Sequence, residues 1–192
     1  MNTFGFHLAK LDVRQNSQFH DRAIASLLEV AKIPGAAAYP DWSVEKRLAL
    51  LHEELDSGRP FARFHAAPEA ARPVLRVYQV LADHAARHGE AGLGALIVSM
   101  TRSAADLLAV YLLARETSLL RAGEAGAFLP LEVVPLFETI DDLREAPRIL
   151  DAYLAEPIVQ RSLKNRAGAD GQLTQQVMVG YSDSGKDGGI VA

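Results

Sequence analysis

Two short apolar runs, each followed at once by a helix-opening signal, constrain this chain more than any other feature. Leu96 to Val98 leads into MTRSAADLL, where Ser103 and Asp106 stand at capping-box spacing. Glu132 to Phe137 leads into ETIDDL, where Thr139 and Asp142 offer a second helix cap. Runs this short, apolar on both faces and chained directly to helices, read as buried strands of a largely parallel sheet. The chain is therefore expected to be α/β, with crossover helices packed outside the sheet.

The rest of the pattern extends that alternation. Phe4 to Val13 reads as an opening strand tipped by Arg14, and 16–31 as a helix closed by Pro34. Ser43 opens a helix with Leu48, Leu51 and Leu55 on one face. Another is expected over 69–88, with Val74, Val77 and Leu81 as its buried stripe and glycines 89, 92 and 94 in the turn after it. Leu107, Leu108, Tyr111 and Leu112 give the next helix a wide apolar face. Glycines 123 and 126 break that pattern. Pro147 is expected to interrupt the helix that follows Thr139, with a softer pattern resuming to Leu154; 164–171 reads as loop. Gln175 to Tyr181 is the last expected strand, before the tail SDSGKDGGIVA. About four strands in 192 residues leave open a sheet or a partial TIM-type barrel, since a complete barrel takes about 250. No repeat or linker divides the chain, so 1–192 is expected to form one domain, a partial barrel if these strands belong to a barrel.

Composition removes several function classes. The sequence has no cysteine, which excludes disulfides, thiolate metal sites and a cysteine nucleophile. A formal net charge of −4 gives no reason to expect a nucleic-acid or anionic-membrane partner. No apolar run approaches the roughly 20 residues of a membrane helix, and no signal-peptide pattern opens the chain. A cytoplasmic location is expected.

Parallel strands point their carboxyl ends to one face, and chemistry gathers there. LDVRQ, SMTRS, FETIDD and GYSDSGKDGG all leave strands with polar residues, so Arg14, Glu138, Asp183 and Lys186 are candidates to converge. Glu138 and Asp183 are hard oxygen ligands that suit Mg2+ or Mn2+. Equally, Glu138 could serve the positive start of the helix behind it. Arg14 could hold a phosphate or carboxylate, or simply pair with a nearby acid such as Asp12. YSDSGKDGG has the small residues, hydroxyls and lysine of an anion-binding loop, without P-loop spacing. The histidines form no HExxH box; His84 and His88, four apart near a helix end, read as helix-terminus or solvated residues, and His7, His20, His52 and His65 as unremarkable. No serine sits in a nucleophile elbow.

Four blocks, TFGFHLAKLDVRQ, GALIVSMTRSAADLLAVYLLARE, EVVPLFETIDDL and QQVMVGYSDSGKDGG, resemble successive segments of phosphoenolpyruvate carboxylase, and WSVEKRLALLHEEL is similar to the stretch between them. The resemblance implies an (α/β)8 barrel with extra helices that combines phosphoenolpyruvate with bicarbonate to give oxaloacetate and phosphate, using Mg2+ or Mn2+. It implies Glu138 and Asp183 as the metal-binding carboxylates, Arg14 as a contact to phosphate or the bicarbonate-derived group, and Lys186 in the same active-site loop. Bicarbonate attacks phosphorus, the resulting carboxyphosphate releases carbon dioxide, and the enolate carbon captures it. Family members are usually allosteric homotetramers. Their chains run several hundred residues longer, and the upstream catalytic histidine and the downstream FHGRGG-type loop are not in this sequence. The DGGIVA ending also departs from the usual DAGR-type continuation. The expectation is a fragment that acts only with the missing segments of the same enzyme and is inactive alone; the alternative is a non-catalytic fragment that associates with full-length carboxylase. Another magnesium-dependent enolate barrel is disfavoured by the motif blocks.

Overall fold

The computed structural model describes residues 9–61 and 67–189, and for 182–184 the backbone only. The segment 4–8 expected to start the first strand, together with His7 and His65, lies outside the described residues. Strand β1 is Leu11–Asn16, so Arg14 sits inside it rather than beyond its tip. Helix α1 (Ser17–Val30) follows without a loop, because Asn16 accepts the Gln18 N–H at 2.9 Å and caps it. A 3-10 turn at Ala36–Asp41 leads to α2 (Val44–Leu55), capped by Ser43, and then to α3 (Arg72–His88). Strand β2 is Leu93–Ser99 and α4 is Ala104–Glu116, with both halves of the Ser103–Asp106 capping box formed.

The sheet is four-stranded and parallel. After a small hairpin, β3 (Arg121–Gly123) with β4 (Gly126–Phe128), come β5 (Val133–Phe137) and α5 (Ile140–Leu154). Then follow α6 (Pro157–Arg166), β6 (Met178–Val179) and the short α7 (Ser182–Gly188). The strand order is β1-β2-β5-β6, so the chain steps across the sheet in one direction. Registers Arg14↔Ile97 and Ile97↔Val134 put those three residues on one face, while Leu96, Val98 and Val133 point to the other. At the far end of β1 and β2 a glycine is required. A Cβ on Gly94 would lie 2.1 Å from an Asp12 carboxylate oxygen and 2.9 Å from the Leu11 carbonyl carbon. That close approach lets Asp12 accept the Ala95 N–H at 2.7 Å.

The two faces are unequal. Leu96, Val98, Val133 and Phe137 join the main core with α1, α3, α4 and α5. Every residue of α4 is buried, so this helix is surrounded rather than one-sided. The opposite face holds a smaller buried group, Ile97, Val134 and Leu136, with Ala95 and Met178 against it.

Several expectations are corrected. Pro147 does not interrupt its helix: α5 runs through it, because Pro147 faces solvent, where the carbonyl it deprives of a donor can be hydrated. The expected loop from 164 begins later, since α6 extends to Arg166. The last strand shrinks to two residues, and the glycine-rich tail folds its first part into α7.

Candidate functional site at the carboxyl ends of the strands

Arg14 and Glu138 meet although 124 residues separate them. Glu138 directly follows β5, on the face of Leu136, and Arg14 lies in β1 with β2 between the two strands. An Arg14 Nη2 donates to Glu138 Oε1 at 2.5 Å, with the arginine side chain 51% exposed and the glutamate 9%. The guanidinium has five donors in a fixed fork, so this half-exposed one keeps donors open to solvent. Of the readings left open for Arg14, an acid partner is therefore realised, but it is Glu138 rather than Asp12.

The loop after β2 closes round the same carboxylate. Met100 N–H donates to Glu138 Oε2 at 3.2 Å, and Ser17 Oγ donates to the Met100 carbonyl at 2.9 Å. Met100 takes φ 58°, a left-handed conformation that costs a non-glycine residue about 1–2 kcal/mol. Hydrogen bonds from two strand ends hold it there. Glu138 is thus bound into the mouth of the sheet, while at the start of α5 Thr139 and Asp142 satisfy one another at 3.1 Å.

Buried charge fixes this loop from behind. Asp106 Oδ2 accepts the N–H groups of Arg102 and Ser103 at 2.9 and 2.8 Å, and its Oδ1 accepts from Arg47 Nη1 at 2.9 Å. The same Nη1 donates to both Asp21 oxygens at 3.2 and 3.1 Å. One guanidinium from α2 therefore joins α1 to the start of α4. Burial pushes the Asp21 carboxyl up to about 6, against the pull of Arg47. Next to it, burial drives His20 down to about 4, and its Nε2 lies 3.0 Å from Gln15 Oε1 and 3.2 Å from the Tyr78 hydroxyl. Sequence reasoning missed Arg47 altogether.

Lys186 stands exposed on α7. Asp187 ties that helix to the mouth by accepting the Ile140 N–H at 3.0 Å, and Gly180 N–H donates to the Phe137 carbonyl at 2.8 Å. Asp183 lies on α7, but its side chain is outside the described residues. Among the described residues, no group of three or more His, Asp or Glu is placed to hold a metal. Glu138 has the chemistry for a hard cation, a nearly buried carboxylate at a strand end; the ligand set would need Asp183 or water to complete it.

In parallel α/β folds, binding and catalytic groups gather at the carboxyl ends of the strands, and that is where Arg14 and Glu138 meet. The phosphoenolpyruvate carboxylase family model matches residues 1–192, and the chain belongs to that family. It is 42% identical over 195 residues to a phosphoenolpyruvate carboxylase of Xanthomonas euvesicatoria pv. vesicatoria, and 42% over 192 residues to one of Rhodopseudomonas palustris (strain BisA53). A phosphoenolpyruvate carboxylase of Azoarcus sp. (strain BH72) is 40% identical over 192 residues. Each alignment takes in 100% of this chain and 20% of the relative, so the chain spans about one-fifth of the length of these curated relatives. Among the described residues, no helix is long and apolar enough to cross a membrane.

Proposed function

We propose that residues 1–192 form one partial TIM-type barrel domain that contributes part of the active-site mouth of a cytoplasmic phosphoenolpyruvate carboxylase. The reaction joins phosphoenolpyruvate and bicarbonate to give oxaloacetate and phosphate, and it requires the missing segments of the same enzyme, in a homotetramer. The observation that carries this reading is the Arg14–Glu138 contact between strands that are not neighbours.

In this reading Glu138 and Asp183 hold Mg2+ or Mn2+, which supplies positive charge against substrate oxygens when bound. Arg14 uses its solvent-facing donors to orient a phosphoryl or carboxyl group. Lys186 brings a second cation from α7, which Asp187 fastens beside Glu138's own strand end. Met100 N–H keeps the Glu138 carboxylate aimed into the mouth. The apolar belt of Ile97, Val134 and Leu136 beneath limits water below the reacting groups.

Complementation tests the proposal. A carboxylase lacking the corresponding segment is co-expressed with this chain, and oxaloacetate formation is measured. The wild-type chain is expected to restore activity, with Glu138→Gln and Asp183→Asn lowering it at least 100-fold while still co-purifying. Restoration by those variants at wild-type level would overturn the assignment, and so would turnover by the purified chain alone.

A non-catalytic role has one observation in its favour. Among the described residues β1 and β6 are the sheet edges, and unpaired edges invite association. Co-purification with a full-length carboxylase, with no gain in activity, is the outcome that reading requires.

A further inference from the structure

Two imidazoles stand side by side on the last turns of α3, away from the mouth of the sheet. His84 and His88 are four residues apart, so both project from one face of the helix. Their ring centres are 5.0 Å apart and the ring planes are inclined at 48°. His84 is half-buried and His88 exposed. In front of them is an open hollow of about 300 Å³, which Arg76, Val80, Asp83 and Arg87 also line.

Neither ring has a hydrogen-bond or ion-pair partner among the described residues. Neither ring hydrogen-bonds the last carbonyls of α3, and the Gly89 N–H closes the helix by donating to the Ala85 carbonyl. The other described histidines are committed, His20 to Gln15 and Tyr78, and His52 to Glu156 at 3.0 Å. The separation of the free pair is the one that chelation needs. With metal–nitrogen bonds of about 2.0–2.1 Å and each ring centre about 1.1 Å further back, a bond angle of about 105° puts the centres about 5 Å apart.

We propose that His84 and His88 form a bidentate site for a borderline-soft divalent cation such as Zn2+ or Ni2+, the class that imidazole nitrogen selects. Among the described residues no third His, Asp or Glu joins them, and Asp83 Oδ1 accepts from Gln79 Nε2 at 2.8 Å. Water fills the remaining positions. The site is therefore open and exchangeable, and the flanking Arg76 and Arg87 charges weaken it further. It is independent of the Glu138 reading, which concerns oxygen ligands at the other end of β2.

The test is calorimetric titration of the purified chain with Ni2+ and Zn2+ in excess Mg2+, which occupies any oxygen-ligand site and leaves imidazoles untouched. One equivalent is expected to bind. His84→Ala or His88→Ala removes the chelate and weakens binding on the order of 100-fold, the double variant abolishes it, and His52→Ala leaves it unchanged. Alanine is the best helix former, and circular dichroism reports whether α3 persists. In the wild-type chain, sub-stoichiometric Cu2+ is expected to broaden the His84 and His88 ring resonances before those of any other histidine. Absence of saturable binding, survival of binding in the double variant, or prior broadening at another histidine would each overturn the proposal.

Discussion

The two faces of the sheet are built for different ends. On one, Leu96, Val98, Val133 and Phe137 disappear under helices, and α4 is buried around its whole circumference. On the other, three buried aliphatic residues form a narrow belt, and the strand ends above it carry Arg14 and Glu138. The first face supplies apolar burial and thus stability. The second gives up continuous apolar cover to hold a charge pair partly in water, and its order is borrowed from the Arg47 cluster behind it.

The strongest way to break that contrast is to damage the helix-covered face. Leu108→Ala leaves a cavity in the fully buried α4 and is expected to cost about 2–5 kcal/mol in urea unfolding. A loss no larger than that of Arg14→Ala would show that α4 is not the stabilising centre.

Next in size is a pH effect from the neighbours His20 and Asp21. Asp21 is raised from 3.8 to about 6, so its contribution to stability is fully present below 3.8 and is lost as pH rises through 6. His20 is lowered from 6.5 to about 4, so its contribution is present above 6.5 and is lost as pH falls through 4. Each shift is worth roughly 3 kcal/mol, and in wild type the two slopes oppose each other between pH 4 and 6. Asp21→Asn leaves only the His20 slope. Its stability is expected to climb by roughly 3 kcal/mol relative to wild type from pH 4 to 6; parallel curves would show that burial does not raise the Asp21 carboxyl.

Smaller effects sharpen the mouth. Met100→Val places a β-branched residue at φ 58° and is expected to lose about 1–2 kcal/mol, whereas Met100→Gly relieves the backbone there. Arg14→Ala removes a half-exposed partner and is expected to change stability by at most about 1 kcal/mol. Its measurable effect falls on carboxylation in the complementation assay. A large drop in thermal stability would make Arg14 structural.

Both helix caps after the buried strands were legible, because Ser103–Asp106 and Thr139–Asp142 are local devices that close within one turn. So was the candidacy of Arg14 and Glu138, since strand ends of a parallel sheet share a face. The α6 helix carried signals that were passed over: Pro157 at its first position and Lys164 and Arg166 in its last turn. Arg47 carried none. Its side chain is buried only because Asp21 and Asp106, 26 and 59 residues away, arrive to pair with it. The left-handed Met100 is equally silent in sequence, for its conformation is held by Ser17 at the start of α1 and Glu138 just past β5.

Sequence alone determined the alternation of strand and helix, the caps, the absence of cysteine chemistry and the residues available to meet at one end of the sheet. These follow from periodicity and from hydrogen bonds between near neighbours, which any chain with this order of residues would share. Tertiary structure decided which charges meet. It paired Arg14 with Glu138, buried Arg47 between two aspartates and left His84 and His88 side by side without partners. Electrostatic contacts depend on distance in space and on local access to water, and neither is set until the strands have taken their places.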